Sequence, residues 1–199
     1  MIPYFDAHCD TVSCCLGLDV SLRENALQLD LCRGRGFSRR AQFFALYHDA
    51  AKAPPDGMWA QCLRLYDRFC RETEQNADLI RRCRTGAEVD GAVAAGQEAA
   101  LLSIEGADLL DCEEERISLV ASWGVKLINL TWNRANPLSG THREEPDRGL
   151  SEQGRGFVRE LETQDVYADV SHLSDAGFWD LVIIHPWSWH LGNLEIFFK

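Results

Sequence analysis

No run of 18 or more uncharged apolar residues occurs in the 199-residue chain, so no segment has the character of a transmembrane helix. The opening MIPYFDAHCD lacks a basic n-region and a long apolar core. It does not read as a secretory signal, and the chain is expected to begin at or near Met1 and to stay in the cytoplasm. Positive charge is scarce: 20 Lys and Arg stand against 31 Asp and Glu, a formal net charge of −11. Nucleic acid needs a net or local positive field, so it is disfavoured as a partner. The one basic cluster, Arg33, Arg35, Arg39 and Arg40, reads as a solvated loop. No GxGxxG or GxxxxGK[ST] turn follows an apolar stretch, which weakens a nucleotide-binding reading. No CxxC pair occurs among the eight cysteines, so neither a zinc ribbon nor a thioredoxin-like motif is supported. Those thiols all lie before residue 113 and are expected to be reduced and mostly buried. Internal repeats and low-complexity runs are also absent.

What is present is ordinary for a globular protein. Hydrophobic residues make up 46% and charged residues 26%, which excludes a disordered tail, a collagen-like fibre and a coiled coil. A chain of this length supports one core, in one domain or at most two small ones. Short apolar, β-prone stretches at 2–7, 42–47, 99–104, 125–131 and 166–170 alternate with helical patterns. The longest helical pattern spans 57–84, with Met58, Cys62, Leu65, Phe69 and Ile80 at approximately helical spacing. Others are expected at 113–123, from Ser151 to about Thr163, and at 175–181. Thr85 and Glu88 have capping-box spacing. Strands alternating with helices predict an α/β fold with a parallel sheet. A (β/α)₈ barrel and a doubly wound sheet both fit that alternation.

The chemistry-bearing residues gather where strands end. His8 and Asp10 are two apart, so extended chain would point both to one side; imidazole and carboxylate are suitable zinc ligands. Glu105 follows an apolar strand directly and precedes Gly106. Its two oxygens could bridge two metals, or it could be a capping or salt-bridged carboxylate. His172 sits just past another strand. Singly, each has a bland reading. Together, His8, Asp10, Glu105 and His172 fall at the C-terminal ends of three predicted parallel strands, the rim that carries the active site in (β/α)₈ enzymes.

The ordered motifs DAHCDT, QFFALY, SIEGAD, LINLTWNRAN, GLSEQGRGFVREL and ADVSHLSDAGFWDL resemble the membrane dipeptidase (renal dipeptidase) family of zinc peptidases, peptidase family M19. The resemblance runs from about residue 3 to residue 181. It implies a (β/α)₈ barrel of the metallo-dependent hydrolase type, here truncated after about five βα units, with 182–199 a divergent aromatic tail. It also implies two zinc ions, with His8 and Asp10 holding one, Glu105 bridging both in a catalytic role, and His172 on the second. A hydroxide shared by the metals attacks the carbonyl of a dipeptide, often one with a D-residue at its C-terminal position. Cys9 has no catalytic role in that chemistry.

Two departures from the family pattern stand out. Trp132 occupies a position where many members carry a substrate-contacting His; it and Asn133 are expected to line the substrate pocket. The family also continues beyond this chain to a strand ending in a further His ligand. In the tail, VIIHPWSWHLGNLEIFFK, His185 follows an apolar run as that ligand would, though early; His190 has a weaker claim. An unclosed barrel leaves a strand edge bare, which a homodimer would cover. His48 is expected to be structural, His142 exposed in a Pro/Gly-rich loop, Asn136 a turn residue, and Glu113–Glu115 the acidic first turn of a helix. Two alternatives stay open: another barrel metallohydrolase of amidohydrolase type, which usually begins with HxH, and a non-catalytic fragment.

Overall fold

The structure, a computed structural model, describes residues 2–184; His185, His190 and the aromatic tail lie outside the described residues. Two compact units divide the described residues, the first formed by residues 2–104 with Gly124–Lys126 and the second by Glu105–Trp123 with residues 127–184.

The first unit contains β1 (Tyr4–Cys9), α1 (Thr11–Leu18), α2 (Leu31–Gly34), β2 (Arg40–Tyr47), α3 (Met58–Gln75), β3 (Ile80–Arg82), α4 (Gly86–Ala94) and β4 (Glu98–Glu105, whose last residue begins the second unit). Its strands follow the order β1-β2-β4-β5, β5 being Val125–Asn129, with β3 pairing β4 off that path. The β1–β2 and β3–β4 pairings are parallel. Every residue of β4 is buried, as are the first seven of β2. Strands buried on both faces read as unbroken apolar runs, the mark of a parallel sheet between helices. Helix α3 buries Met58, Cys62, Leu65 and Phe69, one stripe at helical spacing. Phe69 meets Phe44 of β2 with ring centroids 5.9 Å apart.

The helix expected over 57–84 stops at Gln75. Asn76 turns its amide back onto the Glu72 carbonyl at 2.8 Å, taking up a backbone acceptor at the helix end, and Ile80–Arg82 becomes β3. Thr85 forms the expected capping box with Glu88 and starts α4.

The second unit contains α5 (Ile117–Trp123), the end of β5, α6 (Glu152–Thr163), β6 (Tyr167–Asp169) and α7 (Asp175–Ile184). β5 and β6 pair in parallel. Ser151 caps α6 by accepting from the Gly154 amide at 2.9 Å. α6 lies against β6 and α7. Glu114 and Glu115 sit in a 3₁₀ turn (Glu114–Arg116) that leads into α5, so the acidic run precedes the α-helix instead of opening it.

Among the described residues all eight cysteines are free; Cys15, Cys62, Cys83 and Cys112 are buried and Cys14 is exposed. No described helix is long and apolar enough to cross a membrane.

The basic cluster is not a solvated loop throughout. Arg40 is the first residue of β2 and is 5% exposed. Its Nη2 donates to the Gly96 carbonyl at 2.8 Å, and Nη1 stands 3.8 Å from Oε2 of the buried Glu98. The Glu98 partner, 58 residues away in sequence, is what makes burial tolerable. Burial raises the Glu98 carboxyl from its ordinary 4.5 to about 7, with Arg40 opposing the shift. Protonation is thus easier in the fold than in the unfolded chain. The stabilisation is complete below pH 4.5 and is lost as pH rises through about 7. Chemical denaturation across that window should show wild type losing about 3 kcal/mol relative to Glu98→Gln; parallel pH profiles for the two proteins would contradict the assignment.

Candidate metal centre

The first unit supplies one ligand pair. Tyr4–Asp6 pair with Arg40–Gln42 in register, but Cys9 pairs with Phe44, so β1 carries one residue more than β2 between Asp6 and Cys9. Such a bulge locally interrupts the two-residue alternation and re-aims side chains; Ala7 and His8 are accordingly both exposed. Asp6 anchors this turn of chain by accepting from the His8 amide at 3.1 Å and from the Tyr4 hydroxyl at 2.9 Å. Asp10 is not in extended chain: it is the N-cap residue of α1, at φ −92° and ψ 12°. Together the bulge and the cap bring His8 Nε2 to 3.4 Å from Asp10 Oδ1. That oxygen is buried and accepts no hydrogen bond. A cavity of about 590 Å³ beside the pair is lined by Tyr4, Asp6 and Glu98 as well as by His8 and Asp10. Burial pushes the neighbouring Cys9 thiol up to about 12, so it is protonated at neutral pH and is no nucleophile.

A second pair stands in the second unit. Glu105, 6% exposed, is the last residue of β4, and its Oε1 is 3.2 Å from His172 Nε2. Gly106 follows at φ +89°, ψ +113°, backbone that favours glycine, and a Cβ there would meet Asp108 Oδ2 at 3.5 Å and Trp132 Cβ at 3.7 Å. His172 lies three residues beyond β6 in a left-handed conformation, φ +67°. Asn129 of β5 donates to the Ser171 carbonyl at 3.5 Å, and Thr141 bridges to Leu173. The other ring nitrogen of His172, Nδ1, is buried without a hydrogen-bond partner. Two aromatic neighbours flank the imidazole: Trp132 at 6.3 Å and His142 at 5.6 Å between ring centroids.

Both pairs have the donor set and span of zinc ligands. Two ligand atoms at 2.0–2.2 Å from a tetrahedral ion stand about 3.3–3.5 Å apart, and the pairs span 3.4 and 3.2 Å. The orphaned Asp10 oxygen and His172 nitrogen are each a buried polar atom awaiting a partner.

The remaining candidates divide clearly. His48 Nε2 hydrogen-bonds the Lys52 carbonyl at 2.9 Å, a local turn contact. Asn136 is buried, donates to the Leu130 carbonyl and accepts from the Leu138 amide, as a turn residue should. Asn133 is half-buried beside Trp132 in the same loop. His142 is exposed as expected, yet its contact with His172 was not legible, because 30 residues separate them.

Imidazole and carboxylate side chains thus stand at the C-terminal ends of parallel strands, the rim that carries the active site in (β/α)₈ enzymes. The family model for membrane dipeptidase (peptidase family M19) matches residues 1–185. The chain therefore belongs to that family. The crystal structure of dipeptidase AC, a metallopeptidase of family M19, superposes with a TM-score of 0.79 at 26% identity, over 92% of this chain and 60% of that one. A metallopeptidase from Rhodobacter sphaeroides, solved with a phosphinate mimic of L-Ala-D-Ala, gives 0.80 at 24% identity, over 92% and 62%. An uncharacterised protein in the PQQ-III 3′ region of Acinetobacter calcoaceticus is 26% identical over 129 residues, 62% of this chain and 41% of that protein. The chain thus spans 41–62% of the length of these relatives. Its half-barrel parallel sheet is the corresponding part of their fold.

Gly106 sets the orientation of Glu105. Gly106→Ala places a Cβ in backbone that L-residues rarely adopt and should cost about 1–3 kcal/mol, read as a lowered denaturation midpoint. An unchanged midpoint would show that the strand end relaxes freely.

Proposed function

We propose that the chain carries the metal-binding half of a zinc dipeptidase. The observation that bears most weight is the recurrence of one geometry: two imidazole–carboxylate pairs, each at the end of a parallel strand and each at the span zinc requires. His8 and Asp10 would hold one zinc, and Glu105 and His172 would hold the other. When bound, zinc polarises a carbonyl and brings the pKa of water towards neutrality, so the attacking group exists at working pH.

The protein's own part is orientation. The Asp6 carboxylate fixes the His8 amide, so the imidazole is presented by a braced bulge instead of a loose loop. Glu105 ends a fully buried strand, which restricts its rotamers and holds its oxygens in one place. Trp132 walls the side of His172. Its indole can donate a hydrogen bond but cannot accept or relay a proton, so substrate contacts there are apolar or through N–H. Asn133 completes that wall. The substrate is a dipeptide, and L-Ala-D-Ala is the first to assay, since its phosphinate mimic is the ligand of the Rhodobacter peptidase. Eight free thiols fit a cytoplasmic setting. A homodimer would cover β1, which ends the sheet order with Ile2 and Phe5 exposed.

His8→Ala and His172→Ala should each lower bound zinc by about one ion per chain and reduce L-Ala-D-Ala hydrolysis by a factor on the order of 10²–10³ or more. Zinc content by elemental analysis and ninhydrin-detected hydrolysis check both. Full metal content or retained hydrolysis in either variant would remove these residues from the centre.

A further inference from the structure

Cations in the second unit are few and mostly neutralised. Of its six arginines, Arg116 pairs with Asp111, Arg148 with Glu145, Arg155 with Asp180 at 3.0 Å and Arg159 with Glu152 at 3.6 Å. Arg134 and Arg143 differ. Both are exposed, and among the described residues neither guanidinium has an ion pair or a hydrogen bond.

Both stand on the loops that flank His172. Arg134 is two residues from Trp132 and Arg143 adjoins His142, the rings whose centroids lie 6.3 and 5.6 Å from that of His172. The loops are stitched together: the Ala135 amide donates to Glu144 Oε2 at 3.2 Å, and each arginine immediately precedes one residue of that bond. The backbone on both sides is held. Thr141 Oγ1 accepts from the Arg143 and Glu144 amides at 3.2 and 2.9 Å, and Arg148 Nη2 donates to the Asn136 and Ser139 carbonyls at 2.8 and 2.9 Å. Two guanidinium groups against the single Glu144 carboxylate leave a local excess of positive charge, on a chain whose net charge is −11.

Resting on the dipeptidase reading above, we infer that Arg134 and Arg143 bind a carboxylate of the substrate beside the Glu105–His172 pair. A guanidinium presents a planar fork of N–H groups that matches the two oxygens of a carboxylate. A dipeptide offers one such group at its C-terminus, and a second where its side chain is Asp or Glu.

Calorimetric titration of the zinc-reconstituted full chain with phosphinate mimics of dipeptides separates these sources without any turnover. One comparison sets the mimic of L-Ala-D-Ala against its C-terminal amide; the other sets the mimic of L-Ala-D-Glu against that of L-Ala-D-Gln. Wild type should favour the acid by about 10–100-fold in at least one comparison, the effect of charged hydrogen bonds. A preference in the first places the C-terminal carboxylate between the arginines, and one in the second places the side chain there. In Arg134→Gln/Arg143→Gln that ratio should fall to near one, with the unfolding midpoint unchanged because both residues are exposed. Acid and uncharged mimics bound equally by wild type, or a preference that survives in the double variant, would overturn the carboxylate site while leaving the dipeptidase reading intact. A wild-type chain that binds none of the four mimics would overturn both.

Discussion

A carboxylate at the end of a fully buried strand is costly unless it is paired, and Glu105 is such a carboxylate. Its pairing with His172 sets much of what surrounds it. Gly106 must take a backbone conformation that favours glycine so that the strand can stop where the carboxylate is needed. His172 must adopt a left-handed conformation to turn its ring onto that oxygen. The carbonyl thereby turned outward becomes the anchor for His142 and for the loop that carries it. Strain is concentrated where ligand geometry requires it, and the strands on either side absorb the cost through burial.

The first unit solves the equivalent problem by other means. β1 departs from regular pairing by one residue, and Asp6 stitches the irregularity with hydrogen bonds from the His8 amide and the Tyr4 hydroxyl. The helix that follows begins at Asp10 itself, so its N-cap residue is also the proposed ligand. Asp10 makes no side-chain capping bond, and a cap forgone typically costs about 1 kcal/mol. A side chain that leaves its capping role vacant and keeps an unpartnered oxygen is better suited to holding a cation than to stabilising a helix.

How much of this was legible in the sequence depended on the distance over which each feature is decided. β2 and β4 were legible because burial on both faces leaves an unbroken apolar run. α4 and α6 were legible because Thr85 and Ser151 cap them within three residues. The four candidate positions could be picked out because each falls at or just past the end of a strand. β3 was hidden: three residues, two of them exposed arginines, carry too little pattern beside an 18-residue helix. The β1 bulge was hidden too, since an alternating count assumes the regular pairing that the bulge breaks. Arg40 looked solvated because Glu98, which permits its burial, lies on another strand. His142 looked like a loop residue because its partner is 30 positions away. Local chemistry was readable throughout, and pairings across the fold were not.

The most direct test of the account is the zinc content of the purified, folded 199-residue chain, measured by elemental analysis after exhaustive dialysis against metal-free buffer and reconstitution with zinc. Two zinc ions per chain are expected, because each strand-end pair has the donor set and span of zinc ligands. A chain that is folded by circular dichroism but retains no zinc would contradict the reading of both pairs as ligands.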